Sequence, residues 1–126
     1  MSLQVSVTKI FTFESAHSLP SHRGKCRRPH GHSYKLEVTL SGPLKARGSS
    51  QGMVMDFADV SKVVKREIIT PWDHQSLNDL FSFPTTAENL ALEAFRRLRA
   101  AKLTVTRVRL WETATSYAEV ESHDMG

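Results

Sequence analysis

The sequence predicts an α+β domain in the order ββααββ, an antiparallel four-stranded sheet with two helices on one face. Three observations predict it. Segments near both ends alternate apolar and polar residues, two central segments carry apolar residues at helical spacing, and turn residues separate them. A chain of 126 residues with 40% hydrophobic content has the length and apolar share of one soluble domain, 1–126, with a real core.

The first strand is expected over residues 4–13, where Val5, Val7, Phe11 and Phe13 share odd positions. The second is expected over 32–40, with Tyr34, Leu36, Val38 and Leu40 on one face and Ser33, Lys35, Glu37 and Thr39 on the other. His32 has the parity of the buried face, so it should point inward. Ser41-Gly42-Pro43 ends that strand, and 45–52 reads as a polar loop.

Asp56 is the expected N-cap of a helix striped by Phe57, Val60, Val63, Val64 and Ile68, and Pro71 should stop it. Residues 73–85 should be irregular. Thr85-Thr86-Ala87-Glu88 matches a capping box before a second helix carrying Leu90, Ala91, Ala94, Phe95 and Leu98. A strand over 104–112 places Thr106, Val108, Leu110 and Glu112 on one face, with 116–121 as its hairpin partner. Such a sheet leaves its edges open, so oligomerisation by edge pairing is expected.

No run approaches the ~20 apolar residues of a membrane span, and no basic region followed by an apolar stretch opens the chain. No membrane partner is therefore expected. A single cysteine excludes an intramolecular disulfide, and a lone thiol among histidines suits a reducing cytoplasm. The net charge of +4 suits a polyanionic ligand. A zinc-stabilised nucleic-acid binder would satisfy that charge, but the chain lacks an aromatic stacking platform and a second zinc half-site, so no nucleic-acid partner is expected.

The chemistry concentrates in Cys26-Arg27-Arg28-Pro29-His30-Gly31-His32. Two imidazoles two residues apart on extended backbone point to the same side, about 6.5 Å apart. Gly31 lets the backbone bend so that both reach one metal ion. His17 could supply a third nitrogen. Three histidines with an open position make a catalytic zinc site, whereas four closed ligands make a structural one. Cys26 has two readings: fourth ligand, or a thiolate favoured by Lys25, Arg27 and Arg28 that acts as nucleophile or base. His22 reads as solvated and His123 has no partner in view.

Asp73-His74 could be a carboxylate-oriented general acid/base. Read alone, Asp73 more simply caps a turn. Glu112 should be buried or line a pocket, where it needs a cationic or guanidine-like partner, either from the chain or from a ligand edge. Glu88 is most simply the capping-box residue. The loop His22-Arg23-Gly24-Lys25 with Arg27 and Arg28 is a solvated loop or a phosphate clamp.

Together these motifs resemble the 6-pyruvoyl-tetrahydropterin synthase / 6-carboxytetrahydropterin synthase family. The landmarks are Phe13-Glu14-Ser15-Ala16-His17, Cys26-x3-His30-Gly31-His32, Gly52-Met53-Val54-Met55-Asp56-Phe57, Asp73-His74-Gln75-Ser76-Leu77-Asn78, Pro84-Thr85-Thr86-Ala87-Glu88-Asn89 and Trp111-Glu112-Thr113. The resemblance implies the tunnelling fold, with subunits joined edge to edge into a trimeric barrel and trimers paired into a homohexamer with interfacial active sites. It implies Zn2+ on His17, His30 and His32, with Cys26, Asp73 and His74 catalytic. Glu112 would anchor the pterin, Thr86 and Glu88 would lie near its ring, and Arg27 and Arg28 would help bind the triphosphate.

The three residues between Cys26 and His30 look like the bacterial 6-carboxytetrahydropterin synthases of the queuosine and 7-deazapurine route. The implied reaction converts 7,8-dihydroneopterin triphosphate to 6-carboxytetrahydropterin, acetaldehyde and triphosphate. The alternative is the 6-pyruvoyl reaction, which stops at triphosphate elimination. One departure is Trp72, where an aliphatic residue commonly precedes Asp-His, and a reshaped pocket is expected from it. A barrel retained by an inactive paralogue is the remaining alternative class.

Overall fold

Two 13-residue strands set the frame of the computed structural model, which describes residues 3–124; the two residues at each end of the expected 1–126 unit lie outside the described residues. Strand β1 (Val5–His17) and strand β2 (His30–Gly42) pair antiparallel along their whole length, from Val5 opposite Gly42 to His17 opposite His30. β4 (Val105–Thr113) adds to β2, and β5 (Ser116–Glu121) adds to β4 as the expected hairpin partner.

The sheet has five strands rather than four, in the order β3-β1-β2-β4-β5. The added β3 (Gln75–Ser76) lies parallel to β1 at Ser15 and Ala16, so the sheet is mixed and not purely antiparallel. Its two residues are polar and too few to show a period, so only the non-local pairing creates the strand. The stretch expected to be irregular also holds a short helix, α3 (Leu77–Leu80), anchored by the fully buried Leu77.

β1 outruns its expected end by four residues because the pairing with β2 continues to His17. The odd-position face runs on through it: Phe11, Phe13, Ser15 and His17 are all buried. On β2 the even-numbered Tyr34, Leu36, Val38 and Leu40 are buried as the alternation predicts. These faces meet Val60, Val64 and Ile68 from one helical segment and Leu90, Ala91, Ala94 and Leu98 from another in one core. Truncating one such leucine to alanine costs roughly 2–5 kcal/mol.

Helix α1 (Phe57–Val64) starts where expected, the Asp56 carboxylate accepting the Ala58 N–H at 2.8 Å. Pro71 does not stop the helical path. A π turn over Lys65–Ile69 leads into a last helical turn, α2 (Thr70–Trp72), and Pro71 sits at the start of that turn. The Thr70 N–H bonds the Lys65 carbonyl across the π turn, and the proline follows at this change of hydrogen-bond register.

Helix α4 (Ala87–Ala100) is capped by Thr86, whose hydroxyl accepts the Asn89 N–H at 3.2 Å. The expected capping box is therefore displaced by one residue, and Glu88 does not stand at the reciprocating position. Thr85 is drawn away instead, fully buried against His17. Among the described residues no helix is long and apolar enough to cross a membrane.

Candidate metal centre and its surroundings

The strand pairing builds the centre. His17 faces His30 directly, and His32 faces Ser15 two residues along. Residues directly opposite in an antiparallel pair project to the same side. The three imidazoles therefore meet on the core side of one sheet end, with ring centroids 4.6 to 5.1 Å apart. One nitrogen from each lies within 4.8 Å of the others, so the three could hold a metal ion.

Hydrogen bonding decides which nitrogens those are. His17 Nδ1 is 2.7 Å from the Thr85 carbonyl, and His30 Nδ1 is 2.8 Å from the Arg28 carbonyl. A carbonyl cannot donate, so each Nδ1 carries a proton, and Nε2 is the nitrogen left to offer a lone pair to a metal. The Nε2 atoms of His17 and His32 are buried without a hydrogen-bond partner. Orphaned buried acceptors are costly unless something satisfies them. Burial also lowers the pKa of His32, against the Glu112 carboxylate that raises it, and so favours the neutral form a metal requires. Neutral imidazoles whose second N–H groups are spent on backbone carbonyls are the usual metal-ligating arrangement. The donor set fits zinc and leaves a coordination position open.

Glu112 borders this cluster. Its carboxylate oxygens stand 3.9 Å from His17 Nε2 and 3.7 Å from His32 Nε2. On β4, Trp111 pairs with Tyr117 and Thr113 with Ser116, which makes Glu112 the extra residue of a bulge. Bulges re-aim side chains. The neighbours expected for Glu112 were a guanidinium, an ammonium or a ligand edge; the chain supplies two imidazoles. Glu112 also lines a hollow of about 440 Å3 with Leu19, Thr86, Glu88 and Tyr117.

Asp73 Oδ2 and His74 Nδ1 stand 2.9 Å apart, within hydrogen-bond reach. The other Asp73 oxygen accepts the Glu14 N–H at 2.8 Å. That bond, followed by the one to His74, lowers the Asp73 pKa and keeps the carboxylate ionised at neutral pH. His74 occupies the left-handed region at φ 56°, and its side chain is 78% exposed. It lines a second hollow, of about 550 Å3, with Glu14, Gly31, His32 and Ser33.

Cys26 rides the 3-10 turn Lys25–Arg27 and is half-buried. Among the described residues the metal-capable cluster is His17, His30 and His32, and Cys26 stands outside it. Arg27 and Arg28 are exposed beside it. Trp72 is fully buried in the core, edge-on to Phe13 and Phe81.

Sequence reasoning missed Thr85, whose carbonyl orients His17 from 68 positions away. It also missed Tyr34 as a neighbour of the site, its ring centroid 5.5 Å from that of His32. The period-two pattern that put both on the inward face was the available signal for Tyr34; Thr85 had none.

The family model described as 6-pyruvoyl tetrahydropterin synthase matches residues 6–123. The chain is 39% identical to the 6-carboxy-5,6,7,8-tetrahydropterin synthase of Haemophilus influenzae, over 91% of this chain and 97% of that protein. It is 41% identical to the protein of the same name from Synechocystis, over 89% of each. The structure of the Caenorhabditis elegans 6-pyruvoyl tetrahydropterin synthase superposes with a TM-score of 0.83 at 25% identity, covering 95% of this chain and 96% of that one.

Proposed function

Because the chain belongs to the 6-pyruvoyl tetrahydropterin synthase family of pterin synthases, we propose that it is a zinc-dependent lyase acting on 7,8-dihydroneopterin triphosphate. Its products are 6-carboxy-5,6,7,8-tetrahydropterin, acetaldehyde and triphosphate, an early step towards queuosine and other 7-deazapurines. The observation that carries this reading is the cluster of His17, His30 and His32, with buried, unpartnered Nε2 atoms on His17 and His32, set against a hollow that Glu112 lines. The names of the two relatives support the 6-carboxy product.

His17, His30 and His32 would hold Zn2+, which when bound supplies Lewis-acid polarisation of the substrate's side-chain oxygens. Glu112 accepts the N–H groups of the pterin 2-amino and N3 edge, two donors to one carboxylate. Thr86 and Glu88, on the same hollow, border the ring. The Cys26 thiolate removes a proton from the substrate side chain. His74, held by the ionised Asp73, moves a proton on the opposite side. Arg27 and Arg28 receive the triphosphate as it leaves.

The assembly proposed with this activity is a cytoplasmic homohexamer of single-domain subunits, a dimer of trimers with active sites at the interfaces. The open edge of β5 supports it, as does the outer edge of β1, which β3 covers only at Ser15 and Ala16. The exposure of His74 supports interfacial sites, because an acid/base group works best once water is excluded.

The test is anaerobic incubation of the zinc-loaded protein with 7,8-dihydroneopterin triphosphate, with products identified by mass spectrometry. 6-Carboxytetrahydropterin with acetaldehyde is the expected outcome. A 6-pyruvoyl product without acetaldehyde would restrict the chemistry to triphosphate elimination. No turnover would overturn the substrate.

A further inference from the structure

The landmark Asp73-His74-Gln75-Ser76-Leu77-Asn78 ends in a residue that the chemistry above leaves unused. Asn78 brackets the backbone N–H and C=O of Ser18 with both ends of its side-chain amide. Its Oδ1 accepts the Ser18 N–H at 2.8 Å, and its Nδ2 donates to the Ser18 carbonyl at 2.9 Å. Ser18 directly follows His17, and the next residue, Leu19, donates its N–H to the Cys26 carbonyl at 2.6 Å. Two short links therefore connect Asn78 to the residue that carries the thiol.

The surroundings make this connection decisive for the loop over residues 18–29. Among the described residues, its other hydrogen bonds stay inside the loop or reach His30. Besides the bond to His30 at its far end, it is Asn78 that ties the loop by hydrogen bonds to an element fixed elsewhere, since α3 is seated in the core by the fully buried Leu77. A paired donor and acceptor on one rigid amide fixes distance and orientation together. Either bond alone would leave the loop free to pivot.

We propose that Asn78 is a positioning residue that sets where Cys26 stands relative to the strand-borne histidines; this rests on the reading of Cys26 as the group that takes the substrate proton. Asn78 touches no reacting atom in this role. It works through Ser18 and Leu19, and the metal-capable cluster does not depend on it because β1 and β2 carry that cluster and the Thr85 carbonyl orients His17.

Asn78→Ala removes both bonds, and Asn78→Asp keeps the acceptor while losing the donor. The zinc-loaded variants should keep the metal content of the unmodified protein. Their kcat for 7,8-dihydroneopterin triphosphate should fall by roughly a hundredfold in Asn78→Ala, with KM little changed, the size expected when a reacting group is misplaced by about 1 Å. Independently of turnover, the pH profile of Cys26 alkylation by iodoacetamide should differ from that of the unmodified protein. Should the alanine variant fold poorly, Asn78→Asp carries the same comparison.

An unchanged alkylation profile in a folded, metal-loaded variant would overturn the proposal. A Cys26→Ala protein that turns over at the full rate would instead overturn the catalytic reading of Cys26. In that case a changed alkylation profile would still establish the clamp, so the two failures are separable.

Discussion

His17, His30 and His32 sit at the ends of two strands paired along thirteen residues, whereas Cys26 rides a three-residue turn and His74 projects from a left-handed residue at the sheet edge. The first region is fixed by backbone ladders and by core on its inner side. The second hangs on a few side-chain bonds and faces solvent. Ligands that must converge on one point need the rigidity of strands. Groups that meet a substrate from outside can be carried by loops, provided something else locks the loop at the right moment. Under the proposed function the difference separates binding of the metal from movement of protons, and substitutions should affect the two regions differently.

The largest effect should come from His30→Ala. Removing one of three nitrogens should lower zinc affinity by more than ~100-fold, beyond what loss of an outer-shell partner costs, and turnover should become undetectable. Metal analysis after dialysis against a weak chelator checks this. A variant that kept its metal would show that another group enters the cluster.

Cys26→Ala and His74→Ala should do the reverse. Each should keep its zinc and lose roughly 10²–10⁴-fold in kcat, the range of general acid–base contributions. Zinc analysis beside single-turnover kinetics separates the two regions directly. Loss of metal from Cys26→Ala would place its sulfur among the ligands and erase the distinction.

A pH titration sharpens the same contrast. Burial holds the His32 pKa below its ordinary 6.5, so the unfolded chain binds a proton that the folded site resists. Stability of the metal-free protein is therefore fully present above about pH 6.5 and falls as pH drops from there towards the folded-state value. Urea midpoints at about pH 7.5 and about pH 5.5 should show that slope, and His32→Asn should flatten it. Zinc loading should raise stability at neutral pH and steepen the slope, since metal and proton compete for the same lone pair and acid releases the metal.

The smallest effect belongs far from both regions. Asp56→Ala removes the cap of α1 and should cost about 1 kcal/mol in chemical denaturation, with kcat unchanged.

What the sequence revealed follows the range of the interactions involved. Local periodicity was enough for the inward face of β2, and with it the orientation of His32 and the burial of Tyr34, Leu36, Val38 and Leu40. The same odd-position count carries β1 to His17, but Ser15, the next odd position, is polar, so the apolar alternation ends at Phe13. Glu112 was legible as a pocket carboxylate by parity. Its imidazole neighbours were not, because they come from strands that are about 80 and 95 residues earlier in the chain. β3, the π turn before Pro71 and the Thr85 carbonyl all arise from contacts across the fold that no local window contains.

His74 shows where such contacts compete with local preference. An L-residue held at φ 56° gives up roughly 1 kcal/mol that glycine would not. His74→Gly should therefore unfold at a slightly higher temperature than His74→Ala, and both should be inactive. A directed-evolution screen that scored only survival after heating would drift towards glycine at this position and discard the imidazole without registering a loss.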